Sequence, residues 1–121
     1  MKSPVTLVIG ASPNSDRYSF LATNLLHENG ISVYPFGIKK GMINEMPILN
    51  DWPSQIPIDT VTLYLGPDAQ SAYIDQILAL KPRRIIFNPG TENPVFSALA
   101  AQNGIQTLEA CTLVLLKTGQ Y

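Results

Sequence analysis

Residues 5–30 read VTLVIGASPNSDRYSFLATNLLHENG, and this stretch predicts a strand, a turn and a helix in succession. Val5–Ile9 is a nearly continuous apolar run, as expected for a parallel strand that is covered on both faces. After a polar loop, apolar residues recur at helical spacing and form one stripe, which comprises Tyr18, Leu21, Ala22, Leu25 and Leu26. Asn29-Gly30 then ends the helix, because glycine adopts the left-handed conformation beyond a helix C-terminus without steric cost.

The turn between this strand and this helix, Gly10-Ala11-Ser12, predicts an anion site. The first backbone N–H groups of a helix have no partner within the helix, and the helix dipole makes that end electropositive. A strand, a short turn of small residues and a helix N-terminus therefore bring free amides together above the end of the strand. We expect a phosphate group to bind there, with Arg17 from the following loop as a charged partner.

The composition indicates one ordinary domain and excludes several classes of function. The chain has 121 residues, of which 45% are hydrophobic and 14% charged, and its formal net charge is −1. We therefore expect one domain over residues 1–121, without the broad positive field that nucleic-acid binding requires. One cysteine and the lack of any run near the ~20 apolar residues of a membrane span indicate a cytoplasmic protein. The low share of charged residues suggests a surface partly covered, in a homodimer or by a partner subunit.

The rest of the chain alternates strands with helices. Four more strands are predicted, at Ile31–Phe36, Thr60–Leu65, Arg84–Phe87 and Ile105–Glu109. One helix is predicted from Pro67 to Leu80, because proline suits the first helical position, and another after Asn93-Pro94, which read as an N-cap and an N1 proline. The pair Asn103-Gly104 ends that helix in the same way as Asn29-Gly30 ends the first.

Two segments have no sustained period. Gly37–Asp59 is irregular, with a small hairpin expected about Asn44-Glu45 and a helical turn near Asp51-Trp52. In Ala110–Lys117, the glycine at position 119 favours a short last helix over a sixth strand.

This alternation predicts an α/β domain, a three-layer Rossmann-like fold with a five-stranded parallel sheet. We expect the strand order 3-2-1-4-5 and a ligand crevice at the carboxyl ends of the strands, between the first and the fourth strand. The turns Gly10–Ser12 and Asn88–Glu92 would both lie at that crevice.

The residues around the crevice favour a phosphorylated nucleotide over NAD. A dinucleotide fingerprint has three glycines as G-x-G-x-x-G and an acidic residue after the second strand for the ribose hydroxyls. Here the turn reads G-A-S-P-N-S, and the second strand is followed by Gly37-Ile38-Lys39-Lys40. Lysines at this place fit a phosphate on the ribose, as in NADP or in the 3′-phosphorylated ADP of coenzyme A.

Five features together resemble a known family. They are G-A-S-P-N-x-D-R after the first strand, the V-x-P turn after the second, the third-strand Gly66-Pro67, the Asn88-x-Gly90-x-Glu92 turn after the fourth, and Cys111 near the end. In order and spacing the chain resembles the small stand-alone CoA-binding proteins and the N-terminal CoA-binding domain of the succinyl-CoA synthetase α subunit and of ADP-forming acyl-CoA synthetases. The resemblance spans nearly the whole chain and implies binding of the 3′-phospho-ADP part of CoA across the strand ends.

The resemblance also implies roles for individual residues. Phosphates would be held by Gly10, Ala11, Ser12 and Arg17, with Pro13 in the same loop. The adenosine and its 3′-phosphate would be bordered by Phe36 and by Lys39 or Lys40, and the crevice would be lined by Gly66, Asn88, Pro89 and Gly90. The two turns also have plainer interpretations: the first as a simple connection from a strand to a helix, and the Asn88–Glu92 turn as a cap of the next helix.

The sequence offers no catalytic set. It has one histidine, one cysteine, no P-loop, no H-E-x-x-H and no G-x-S-x-G, so acyl transfer by this chain alone is not expected. His27 near the end of a helix and Cys111 as a small buried hydrophobe have structural interpretations. We therefore predict CoA or acyl-CoA binding without catalysis. The alternatives are an NADP-dependent oxidoreductase with a degenerate fingerprint, and a regulatory or scaffold subunit whose nucleotide pocket is vestigial.

Overall fold

The computed structural model describes residues 4–121, which form seven strands and five helices within that range. The strands are β1 (Val5–Ile9), β2 (Ser32–Phe36), β3 (Met42–Ile43), β4 (Met46–Pro47), β5 (Thr60–Leu63), β6 (Arg84–Phe87) and β7 (Gln106–Glu109). The helices are α1 (Tyr18–Glu28), α2 (Pro67–Gln70), α3 (Ile74–Leu80), α4 (Pro94–Gln102) and α5 (Thr112–Lys117).

The predicted fold class is confirmed: β2, β1, β5, β6 and β7 form one parallel sheet with helices packed on it. The strand order, however, is β2-β1-β5-β6-β7, so the five strands lie 2-1-3-4-5 and the predicted order 3-2-1-4-5 is wrong. Pro35 explains the difference. It lies in β2 and has no N–H for a second neighbour, which confines β2 to the edge of the sheet. The third strand therefore pairs with β1 on its other side.

The two faces of the sheet differ in chemistry. One face carries the larger apolar core, in which Leu7, Leu63 and Phe87 are fully buried with Ile77 of α3 and Phe96 of α4. The burial of these side chains is the main source of stability in the fold.

The other face, under α1 and α5, has a smaller apolar cluster and a layer of buried polar groups. The hydroxyls of Thr62 and Thr112 lie 2.8 Å apart, and the Arg84 guanidinium donates to the Thr60 hydroxyl at 3.0 Å. The same guanidinium lies over the ring of Tyr121, 4.4 Å from its centre. Polar contacts therefore hold this side of the sheet to the C-terminal segment.

Helix α1 buries a different stripe from the one predicted. The buried residues are Ser19, Ala22, Thr23 and Leu26. Tyr18 is 70% exposed and Leu21 is 43% exposed, although both belonged to the predicted apolar face. The buried set still has helical spacing, rotated toward smaller side chains, because α1 packs close to the sheet and to α5.

The segment after β5 forms two helices where one was predicted. Helix α2 ends at Gln70, and α3 begins at Ile74 after the turn Ser71–Tyr73. Pro67 occupies the first turn of α2 as expected. The fully buried side chain of Gln70 makes three hydrogen bonds to neighbouring loops, which accompanies the break in the helix.

The smaller predictions are mostly confirmed. The hairpin β3–β4 forms about Asn44-Glu45, and Thr112–Lys117 is the short last helix. Asn93 caps α4, and glycines with positive φ follow α1 and α4. The helical turn near Asp51-Trp52 is wrong, since that segment is an irregular turn centred on residues 54–56. None of the helices within residues 4–121 combines the length and the apolar character needed to cross a membrane.

Candidate functional site

An open cleft of about 670 Å³ lies at the carboxyl ends of the parallel strands. The chain leaves β1 toward one face of the sheet and β5 toward the other. The cleft therefore lies between β1 and β5, the first and third sheet strands in chain order, and not between the first and the fourth as predicted. Most of the predicted site residues line it, namely Gly10, Ala11, Ser12, Arg17, Phe36, Lys39, Gly66, Pro89 and Gly90.

Two glycines allow the floor of the cleft to form. Gly10 has φ +95°, and a Cβ there would lie 3.0 Å from the Tyr64 carbonyl carbon. At Gly37, a Cβ would lie 2.6 Å from the carbonyl oxygen of Ala11. A side chain at either position would push the turn after β1 away from its neighbours, so both positions require glycine.

The free amides differ from those predicted. The N–H groups of Gly10 and Ala11 both donate to the carbonyl oxygen of Phe36, at 3.0 and 2.9 Å, so the expectation that they are free for a phosphate is wrong. Between β1 and the first turn of α1, the amides of Ser12, Tyr18 and Ser19 are among those that have no hydrogen-bond partner within the described residues. All three residues line the cleft.

The loop that leads into α1 is held in shape by its own side chains. The Asn14 amide donates to Ser12 Oγ at 3.1 Å, and the Asp16 amide donates to Asn14 Oδ1 at 2.9 Å. Such turns preorganise a loop without using the amides of the helix. The N-cap residue of α1 is Arg17, which offers no acceptor, so the N-terminus of this 11-residue helix is uncapped.

The charged side chains at the cleft are mixed in sign. Arg17 and Lys39 line it and are exposed, and the neighbouring Asp16 lines it as well. Lys40 is exposed but does not line the cleft, so the structure separates the two lysines that the sequence left equivalent. The cleft thus holds two cations that can meet an anion and one carboxylate that opposes it.

An aromatic cluster forms one wall. Phe36 and Tyr73 both line the cleft and meet edge to face, with ring centres 5.6 Å apart. Trp52 stacks on Tyr73 at 5.9 Å and meets Phe36 edge-on at 5.1 Å. These contacts fix the two rings at the cleft, which gives a planar ligand a rigid surface.

Three predicted residues do not line the cleft. Pro13 is exposed and lies against Gly41, where an added Cβ would be 2.8 Å from the proline Cβ. Lys40 is the second. Asn88 is 2% exposed and donates to Thr62 Oγ1 at 2.6 Å and to the Leu63 carbonyl at 2.9 Å. Its Oδ1 accepts from the Thr112 amide at 2.8 Å, so its side chain joins β5, β6 and α5.

Sequence reasoning also missed residues that line the cleft. Ser19 and Tyr73 are among them. Ser19 carries a signal, since it is the second residue of a helix whose N-cap offers no acceptor. The place of Tyr73 depends on the break between α2 and α3, for which the apolar spacing gave no sign.

Tyr64, which follows β5, lines the cleft and carries an unusual buried hydroxyl. Its oxygen has no hydrogen-bond partner among the described residues. Burial raises the pKa of the Tyr64 hydroxyl to about 12, so the group stays protonated at neutral pH. Within residues 4–121, no three or more side chains of histidine, cysteine, aspartate or glutamate come together as a candidate metal site.

A family model described as a CoA binding domain matches residues 5–117. The crystal structure of an uncharacterized protein is similar at 41% identity over 100% of both chains, with a TM-score of 0.95. A hypothetical protein from Pyrococcus horikoshii OT3 (22% identity, 93% of this chain and 81% of that chain) and a protein from Thermus thermophilus (20%, 98% and 91%) share the fold, each with a TM-score of 0.85. None of the curated proteins compared with the chain matches it.

Proposed function

This chain belongs to the family of CoA-binding domains, and from that premise we propose that it binds coenzyme A or an acyl-CoA through the 3′-phospho-ADP part. The observation that carries the proposal is the uncapped N-terminus of α1 at the cleft. The unpaired amides of Ser12, Tyr18 and Ser19 belong to one loop and the helix start that follows it, and Arg17, the N-cap residue, lines the same cleft. Unpaired amides, a helix dipole and a cation are the groups that bind a diphosphate.

The 3′-phosphate is assigned to Lys39. This lysine follows β2 and lines the cleft, whereas Lys40 does not. Among Gly37-Ile38-Lys39-Lys40 there is no carboxylate to accept hydrogen bonds from a free ribose diol, so a phosphorylated ribose fits better. The rings of Phe36 and Tyr73 border the adenosine.

We further propose that the chain acts as a cytoplasmic binding module of one domain and performs no chemistry of its own. The reasons are compositional: one histidine, one cysteine and no recognisable nucleophile with its base.

Calorimetric titration of the purified chain with CoA, dephospho-CoA, NADPH and NADH tests the proposal. We expect CoA to bind, with dephospho-CoA weaker by about tenfold because one charge-assisted contact is lost. The single tryptophan provides a second readout, since Trp52 contacts both aromatic residues of the cleft wall. Clear binding of NADH with none of CoA would refute the proposal, and binding of NADPH alone would favour the oxidoreductase.

The lysine assignment has a matched control in the chain itself. We expect Lys39→Gln to lower the affinity for CoA to that of the wild type for dephospho-CoA, while leaving the affinity for dephospho-CoA unchanged. Lys40→Gln removes the same charge from the adjacent residue and should change neither affinity by more than the small effect of an exposed charge. Equal losses from both variants would show a general charge effect and would contradict the assignment.

A further inference from the structure

Gln70 is a buried polar side chain between two walls of the cleft. It is the last residue of α2 and is 0% exposed. Its Nε2 donates to the Leu65 carbonyl at 2.9 Å and to the Thr91 carbonyl at 2.7 Å. Its Oε1 accepts from Asn93 Nδ2 at 3.0 Å. Both amide hydrogens and the amide oxygen are therefore used.

The two carbonyls belong to different loops of the cleft. Leu65 follows β5 and Thr91 follows β6, and both line the cleft. Neither loop is part of the sheet hydrogen bonding at this point, because β5 ends at Leu63 and β6 at Phe87. The Gln70 amide thus bridges the two loops where the strands no longer do.

We propose that Gln70 is a positioning residue, which fixes the separation of the loops after β5 and β6 and thereby sets the affinity of the cleft for CoA. The inference rests on the proposed function for its ligand. A side chain of the same length without donors would leave two buried carbonyls unpaired, which they can relieve only by moving toward water. The wall formed by Leu65 and Thr91 would then widen.

The contact with Asn93 extends the effect to the next helix. Asn93 Oδ1 accepts from the Phe96 amide at 3.1 Å and so caps α4, while its Nδ2 is oriented by Gln70. One side chain therefore couples α2, two loops of the cleft and the start of α4.

Gln70→Met is the direct test, because methionine keeps the length and flexibility of glutamine and removes its hydrogen bonds. Gln70→Leu, which also removes the donors and brings no charge into the buried site, is the second variant in case the first does not fold. Ile77→Val is the control, since Ile77 is equally buried on α3 and belongs to the apolar core. Each variant is examined by hydrogen exchange of the peptides covering residues 64–66 and 89–93, and by calorimetry with CoA.

In the Gln70 variants we expect faster exchange in those two segments and an affinity for CoA about tenfold weaker. Both properties should be unchanged in Ile77→Val. A folded glutamine variant that binds CoA as the wild type does would overturn the inference, as would equal weakening by Ile77→Val. If the wild type itself binds no CoA, the proposed function fails. Hydrogen exchange alone then decides whether Gln70 positions the two loops. Faster exchange confined to the two loops supports the positioning role, and unchanged or uniformly faster exchange refutes it.

Discussion

The loops after β1 and after β6 occupy equivalent places in the fold but differ in how they treat the N-terminus of the helix that follows. Each follows a buried strand of the same parallel sheet, and each leads into one of the two longest helices of the described chain. The loop after β1 leaves the N-terminus of α1 uncapped, with unpaired amides at Tyr18 and Ser19. The loop after β6 caps α4 with Asn93.

The second loop also pairs several of its polar groups internally. The Gly90 amide donates to Glu92 Oε1 at 2.8 Å, and the Thr91 hydroxyl donates to the Asn88 carbonyl at 2.8 Å. Glu92 thus closes its own turn. A position at the end of a parallel strand is therefore not enough for binding. The loop after β1 keeps the amides at the start of its helix unpaired, whereas the loop after β6 uses Asn93, Glu92 and Thr91 to cap its helix and hold its own turn.

We expect the largest effect on stability from loss of the Asn88 side chain, which joins β5, β6 and α5. Asn88→Ala deletes three hydrogen bonds at a buried site and removes the partner of the Leu63 carbonyl and of the Thr112 amide, while the Thr62 hydroxyl keeps its contact with the Thr112 hydroxyl. We expect the free energy of unfolding to fall by about 3 kcal/mol, measured by urea denaturation. The control is Ser12→Ala in the other loop, which loses one hydrogen bond and should cost about 1 kcal/mol. An equal fall in the free energy of unfolding of the two variants would contradict the view that the loop after β6 serves stability more than the loop after β1 does.

Capping the open helix should exchange binding for stability. Arg17→Ser places a hydroxyl acceptor at the N-cap of α1, where arginine offers none. We expect this variant to gain about 1 kcal/mol in free energy of unfolding and to bind CoA about tenfold more weakly.

Arg17→Gln separates the two effects of that substitution, since it removes the charge without supplying a short capping side chain. It should lower the affinity for CoA to a similar degree, and urea denaturation should show no gain in the free energy of unfolding. If Arg17→Ser binds CoA as tightly as the wild type, neither the amides nor the charge at this helix N-terminus holds the ligand.

Tyr64, between the two loops, sets an alkaline limit on stability. An unfolded tyrosine ionises near its ordinary pKa of 10.0, whereas burial raises the pKa of Tyr64 in the folded chain to about 12. The folded state therefore keeps a proton that the unfolded state loses, and the free energy of unfolding falls as pH rises from 10 to 12.

Tyr64→Phe lacks this titration and also removes an unpaired buried hydroxyl. We expect its stability to equal or exceed that of the wild type at pH 8, and to fall less by about 1 kcal/mol between pH 10 and 12, measured by urea denaturation. Tyr121, whose pKa burial also raises, is present in both proteins and cancels in the comparison. Parallel losses for the two proteins would contradict the assignment.

The opposite end of the sheet should matter least. Asp59 precedes β5 and forms a 3.0 Å ion pair with the exposed Arg83. Partial burial alone would raise the pKa of the Asp59 carboxyl, but hydrogen bonds from Arg83 and Thr60 lower it below 3.8.

The Asp59 contribution is therefore present above the unfolded pKa and is lost as pH falls through the folded one. Because the pair is solvent-screened, we expect Asp59→Asn to cost less than about 1 kcal/mol at pH 7 and to leave the affinity for CoA unchanged. An effect on CoA affinity would mean that the cleft depends on the far end of the sheet.

Local chemistry was readable from the sequence where one residue type decides a conformation. The N-cap at Asn93, the N1 proline at 67 and the glycines after α1 and α4 were all predictable, because each meets a steric or hydrogen-bonding need of its own segment. The strand order was readable too, from Pro35 in β2, but the familiar dinucleotide-binding order was expected in its place.

The rest depends on contacts between distant segments. The Phe36 carbonyl that occupies the amides of Gly10 and Ala11 comes from the neighbouring strand, so no local pattern shows which amides stay free. Gln70 looks like an ordinary polar helix residue until the loops it bridges are in place. Residue types at a site were therefore easier to predict than the groups left available there.

An amide-resolved NMR titration of the ¹⁵N-labelled chain with CoA tests the central claim most directly. If the open loop holds the diphosphate, saturating CoA shifts the amide signals of Ser12, Tyr18 and Ser19 most strongly, and the Arg17 side-chain signal with them. The amides of the loop after β6 that are paired internally, such as Thr91, shift less. Strong shifts confined to the loop after β6, or none anywhere at saturating CoA, would contradict the account.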